Sequence, residues 1–302
     1  MAKPSRGQRR ADEEAAQSIR SATIKRAQHA GIINPKRKRA CLPPNLEPEL
    51  GIAERRRMHV AMKYFEAAFR AEETVLHLTW CPAEFYFRPG ELDADVVLRF
   101  GRIASRRARS LPVRERRVIG AIDISFNKEL GLWCVHLHAL VAVPGYSKKA
   151  IKRVVAAAFG PGKFKFPELA GLKPRKAPVI RNEEHLFNTF SYISGCVVLV
   201  DHNENQRRDR RMRSRPAGSK YSSKTMLPGE LQDELTRVYA DLGPPRFWVL
   251  SGFRRHGQRI TPEPRLHPSE EQAQTALSQP REEPKPHTFS AVTRPRPLFL
   301  FK

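Results

Sequence analysis

His136 and His138 stand two residues apart in the run LWCVHLHALVAV (132–143), whose apolar content and length read as a β-strand. Side chains alternate along a strand, so the two imidazoles leave one face while Val135, Leu137 and Ala139 take the other. Such a pair suits a shared metal ion or simple cross-strand packing, and the motif alone does not separate the two. The preceding run RVIGAIDISF (117–126) also alternates, and NKELG (127–131) between the runs has turn chemistry, which predicts a hairpin. With the turn centred near Glu129 and Leu130, Asp123 falls opposite His136. Asp123 is the one charged residue of VIGAIDISF, and a carboxylate among apolar neighbours needs a partner. A metal shared with the two histidines supplies one; a lysine or arginine at the sheet edge is the alternative. Two imidazoles, one carboxylate and water suit Mg²⁺ or Mn²⁺ with positions left open for phosphate oxygens, and zinc fits the same ligands.

The elements that must position these groups follow from periodicity. A helix is expected from about Ile52 to Ala71, with Met58, Met62, Phe65 and Phe69 on one face. TVLHLTW (74–80) reads as a buried strand in which His77 alternates with Leu76 and Leu78, facing either the metal side of the sheet or the core. Leu92 to Arg109 is amphipathic, with Asp93 and Asp95 at its start. After the hairpin, Ser147 caps a helix over KKAIKRVVAAAF that ends at Gly160. APVIR (177–181) is a short strand, Asn182 opens a helix to about Val198, and LPGELQDELTRVYADLG (227–243) is a further helix. The order strand, helix, strand, strand, helix, strand predicts a split βαβ unit: a ferredoxin-like α+β sandwich on an antiparallel sheet, with extra helices. Composition divides the chain into a mobile basic arm (1–48) with a helix around Glu13 to Ala30, this domain with its helical extension (49–258) and a proline-rich disordered tail (259–302).

The run WCVHLHALV (133–141) matches the His-hydrophobe-His motif of rolling-circle replication initiators, the HUH endonucleases. AIDISFNKE (121–129) resembles the strand that supplies an acidic third ligand in some of them, and VLHLTW (75–80) resembles their first motif. The resemblance spans roughly residues 74 to 255. It implies a divalent metal, Mg or Mn, on His136, His138 and Asp123 that polarises a DNA phosphate. It also implies a helix-borne tyrosine that cuts the strand and keeps a 5′-phosphotyrosyl link, with the free 3′-hydroxyl priming synthesis. Two tyrosines qualify. Tyr192 in HLFNTFSYISGC lies on the expected helix, with Gly195 at the offset where the family carries lysine. Tyr221 in SKYSSK has Lys224 at that offset but sits in a Ser-, Arg- and Lys-rich stretch. A phenol with its ordinary pKa near ~10 is a weak nucleophile, so a tyrosine held against the sheet is the better candidate. Beside Phe187 and Phe190, Tyr192 also has the alternative of a core aromatic.

Charge points to the same class of partner. Fifty-five Lys and Arg against 31 Asp and Glu give +24, a balance that calls for a polyanion. Arg102, Arg106 and Arg107 belong to a dense cationic helix, and Arg207, Arg208, Arg210 and Arg211 to the run RRDRRMRSR. Each is a candidate phosphate contact. Trp80, Phe85, Tyr86 and Phe87 are candidates for stacking on unpaired bases or for the core. The expected partner is single-stranded DNA or an origin hairpin, with a host helicase and polymerase because no ATPase motif is present. GPGKF (160–164) lacks the rest of a phosphate loop. No apolar run is long enough to span a membrane and the basic N-terminus lacks a signal peptide's apolar stretch, so the expected location is a bacterial cytoplasm. Cys41, Cys81, Cys134 and Cys196 form no C-x-x-C pair, which predicts four reduced thiols rather than a zinc knuckle. A nucleic-acid-binding protein that does not cut, and a hydrolase using the same metal with water, are the rival readings.

Overall fold

The hairpin is the centre of the fold. In the computed structural model, β3 (Arg117–Asn127) and β4 (Leu132–Ala142) pair antiparallel over their whole length, with Asp123 opposite His136. Asn127 sets the turn: its Oδ1 accepts from the backbone N–H groups of Glu129 (3.0 Å) and Leu130 (3.1 Å). Gly131 follows with φ +64°, a left-handed conformation that glycine adopts without steric cost. The structure describes residue 17 and residues 20–34, 42–111, 116–127, 129–163, 165–169, 175–195, 227–256 and 259–263.

Four more strands complete the sheet, an antiparallel one in an α+β chain. β1 (Val75–Trp80) lies on the other side of β4, β5 (Arg175–Lys176) outside β1, and β6 (Trp248–Ser251) outside β3. β2 (Tyr86–Phe87) pairs with Cys134 and Trp133, where β1 has left β4. With neighbours on both sides and helices above and below, β4 is buried at every position. The strand expected at 177–181 is displaced to β5. Its register continues through a single bridge between Leu76 and Val179, because Pro178, opposite His77, has no N–H to donate to a ladder.

One helix layer covers the histidine face. α2 (Pro48–Arg70) buries Met58, Met62 and Phe65, and starts earlier than expected because Pro48 is suited to a first turn. α5 (Glu183–Gly195) packs on α2 and is capped by Asn182, whose Oδ1 accepts from His185 N–H at 2.7 Å. α3 (Ala94–Arg109) and α4 (Lys148–Ala158) take the opposite face. Trp80, which alternates with the site-facing Thr79, stacks on Phe100 of α3 at 5.4 Å and meets Phe159, just past α4, at 5.3 Å. Asp93 and Ser147 cap these two helices as expected. Among the described residues no helix is long and apolar enough to cross a membrane.

Both ends of the domain extend beyond the expected boundaries. Within the arm expected at 1–48, residues 20–29 form α1, and its Thr23 and Ala27, with Ala30 just past its end, are buried. These small residues recur at helical spacing, a stripe that the surrounding Lys and Arg obscure. Arg237 of α6 (Gly229–Leu242) donates to Ala30 O at 3.2 Å, and His29 meets Asp233 at 2.9 Å, so this part of the arm is fastened down. Leu42 and Leu46 are likewise in the core. At the other end, β7 (Phe253–His256) pairs with β8 (Arg259–Pro262) and Ile260 is buried, so the expected tail boundary at 259 falls inside a folded hairpin.

Candidate metal centre

Strand alternation places Cys134, His136 and His138 on one face of β4, and the helices above leave His136 and His138 only 7% and 6% exposed. Asp123 reaches over from β3, its Oδ2 3.3 Å from His136 Nε2 and 3.7 Å from His138 Nε2. The remote ring nitrogens are held from behind. His136 Nδ1 lies 3.2 Å from Cys134 O, and His138 Nδ1 lies 3.1 Å from Thr79 Oγ1 on β1. A carbonyl only accepts, so His136 donates through Nδ1 and turns Nε2 toward Asp123. Fixing the far nitrogen in this way is what orients a metal-ligating histidine. The ligand atoms of Asp123, His136 and His138 lie within 4.8 Å of one another, a donor set able to hold a cation.

The carboxylate also governs protonation. Burial alone pushes His136 down, but the charge of Asp123 and its hydrogen bond outweigh that and raise the imidazole to about 9. Without a cation, His136 is therefore an imidazolium paired with Asp123 at neutral pH. Because its folded value lies above its ordinary one, the pair's contribution to stability is complete below about pH 6.5 and is lost as pH rises through about 9. A cation has to displace that proton. Mn²⁺ affinity, measured by calorimetry, should rise about tenfold per pH unit from neutral pH and level off above about 9. A flat profile over that range would contradict the ion pair.

Tyr192 completes the group. α5 turns Leu186, Phe190 and Ile193 into the core at helical spacing, while Tyr192 stays 41% exposed. Its hydroxyl lies 3.1 Å from His138 Nε2, and its ring stands edge-on to His138 with centroids 4.8 Å apart. The core-aromatic alternative thus applies to Phe190 and not to Tyr192. Tyr221, Lys224, Arg207, Arg208, Arg210 and Arg211 lie outside the described residues.

Other expected contacts fall elsewhere. Arg102, Arg106 and Arg107 belong to α3, across the sheet from the histidines, and Arg107 Nη1 donates to Ala158 O at 3.1 Å, bracing α3 against α4. Trp80, Phe85, Tyr86 and Phe87 are buried, which removes them as stacking platforms; interior strand and turn positions filled them with core residues.

Two neighbours, Thr79 and Cys81, escaped the sequence reading, and His77 takes the metal side of its two expected alternatives. Thr79 supports His138 and is identifiable only once β1 is set against β4. His77 lies on the same face, its ring 5.8 Å from His138 and 6.3 Å from Tyr192, and its buried Nε2 has no hydrogen-bond partner among the described residues. Burial, helped by the charge of His185, lowers His77 to about 4, so it is neutral at physiological pH. The Cys81 thiol, just past β1, is lowered to about 7 by the neighbouring Cys134 thiol, while Cys134 is pushed well above its ordinary value by Cys81 and by burial. No family model, no curated protein and no solved structure matches the chain.

Proposed function

We propose that this protein is a metal-dependent tyrosine DNA endonuclease of the rolling-circle initiator type. The observation that carries the reading is the Tyr192 hydroxyl 3.1 Å from His138 Nε2, beside a carboxylate and a second imidazole. A nucleophile next to a cation-binding donor set is the arrangement that phosphoryl transfer by a weak phenol needs. The strand order agrees with a ferredoxin-like split βαβ unit, with β4 between β1 and β3 and β5 outside β1. The net charge of +24 suits a nucleic-acid partner in a bacterial cytoplasm.

Asp123, His136 and His138 would hold Mg²⁺ or Mn²⁺, whose donors of two nitrogens and one oxygen leave positions open. When bound, the cation supplies Lewis-acid polarisation of a phosphate oxygen. The chain's own residues do the rest. Thr79 and the Cys134 carbonyl keep both imidazoles aimed, and α5 holds Tyr192 over them. The Tyr192 Oη–P bond forms as the P–O3′ bond breaks; the phenol proton passes to water, and the 3′ oxygen takes one up from water. The products are a 5′-phosphotyrosyl link and a 3′-hydroxyl fit to prime a host polymerase, with a host helicase opening the duplex.

The test is incubation with hairpin-bearing single-stranded DNA and Mn²⁺, followed by a denaturing gel. Wild type should give a protein–DNA adduct and Tyr192→Phe none. Absence of an adduct from wild type sinks the reading, whereas an adduct kept by Tyr192→Phe and lost in Tyr221→Phe moves the nucleophile. A second reading, DNA binding without cleavage, is favoured by Gly195, which leaves open space where the family has lysine. It requires retained DNA binding with no adduct from wild type.

A further inference from the structure

We propose that Cys81, Cys134 and His136 form a second cation site, for a thiophilic divalent ion such as Zn²⁺, which competes with the Asp123 set for the same imidazole. The two thiols and the imidazole offer ligand atoms within 4.8 Å of one another, as compact a group as Asp123, His136 and His138. The fold builds this cluster from two strands. Cys134 lies two residues before His136 on the same face of β4, and the pairing of Trp80 with Leu137 delivers Cys81 to its side as the chain leaves β1. Tyr86, paired with Cys134, walls the cluster on β2. Cys134 is buried and Cys81 half-buried, so Cys81 is the more accessible of the two thiols.

Donor chemistry separates the two sets. Thiolates are soft ligands that select zinc over magnesium and manganese, and two sulfurs with one imidazole form a three-ligand zinc set that keeps a fourth position open. A carboxylate with two imidazoles suits a harder ion. His136 belongs to both groups, so a zinc ion on the thiols withdraws one ligand from Asp123 and His138. The thiol site rests on its own donors and stands whether or not the protein cuts DNA.

Co²⁺ is the probe, because thiolate coordination gives a sulfur-to-cobalt charge-transfer absorption that oxygen and nitrogen ligands do not. The full-length reduced protein should show this band as wild type and as Asp123→Asn or His138→Ala. It should be strongly reduced in Cys81→Ser, a change at a half-buried position that the fold tolerates better than one at buried Cys134. Zn²⁺ should displace Co²⁺ and bind Cys81→Ser at least about 100-fold more weakly than wild type, since even outer-shell losses cost about 10–100-fold. No band in wild type overturns the site, as does a band that Cys81→Ser retains at full strength. Mn²⁺ binding followed by electron paramagnetic resonance separates this from the metal reading above. Cys81→Ser should bind Mn²⁺ like wild type, whereas folded His136→Ala, which removes a donor common to both groups, should lose Mn²⁺ binding and weaken the cobalt band together. A cobalt band that His136→Ala keeps at full strength overturns the sharing of His136.

Discussion

Replacing His138 with alanine should abolish Mn²⁺ binding and adduct formation together, a loss of at least about 100-fold in each. The reason is convergence. One imidazole meets Thr79 through Nδ1 and both Asp123 and Tyr192 through Nε2. Its removal takes away a ligand, the group against which the phenol is placed, and half of the histidine pair. Thr79→Val is the graded companion, because it keeps the imidazole and removes only its rear support. Loss of an outer partner of this kind typically costs about 10–100-fold in metal affinity. Calorimetry with Mn²⁺ and the denaturing gel read both variants. A His138→Ala protein that binds Mn²⁺ like wild type would exclude the donor set described here, and a Thr79→Val protein as impaired as His138→Ala would show that Thr79 does more than orient.

The largest expected effect on stability is at Gly252, between β6 and β7. A Cβ there would stand 2.0 Å from Arg116 O and 3.1 Å from Arg116 C, and the residue has φ +78°. The obstacle is backbone, not the end of a flexible side chain, so relief requires moving β3 or β6. Their pairing holds Val118 against Ser251 close by. A left-handed conformation alone costs an alanine roughly 1–2 kcal/mol, and the clash adds to it. Gly252→Ala should therefore lose about 4 kcal/mol or more in urea denaturation, or fail to accumulate as folded protein. Exposed Gly90 is the control: it too has a positive φ of 85°, but its Cβ would meet nothing within 4 Å. Gly90→Ala should lose only about 1–2 kcal/mol. Equal losses at the two positions would mean that the contact with Arg116 yields easily.

These two sites also mark what can be read from residues alone. The pairing of Asp123 with His136 was legible because a hairpin has one unknown, the centre of its turn, and NKELG supplies it. The caps Asp93, Ser147 and Asn182 were legible because each acts within a few residues. Cys81 beside Cys134 was not, since that contact depends on how β1 meets β4 through a long connection whose register no turn dictates. Thr79 was hidden for the same reason. The helix face that carries α1 was obscured by charge: its stripe is made of Thr23, Ala27 and Ala30, residues too small to stand out among lysines and arginines. The strand at 177–181 was read from its apolar residues, while Pro178 decided where ladder bonds could form.

The sheet between α3 and the histidines has a kinetic meaning. Arg102 and Arg106 are exposed on the far side from Tyr192, so a phosphate held by them is not the phosphate presented to the phenol. For a protein that cuts DNA as proposed, that surface would serve capture, raising the rate of encounter and letting a bound strand slide or hop before it is placed. Ionic strength would then act on arrival and search, while a bond-breaking step at Tyr192, on the other side of the sheet, would keep its own pace.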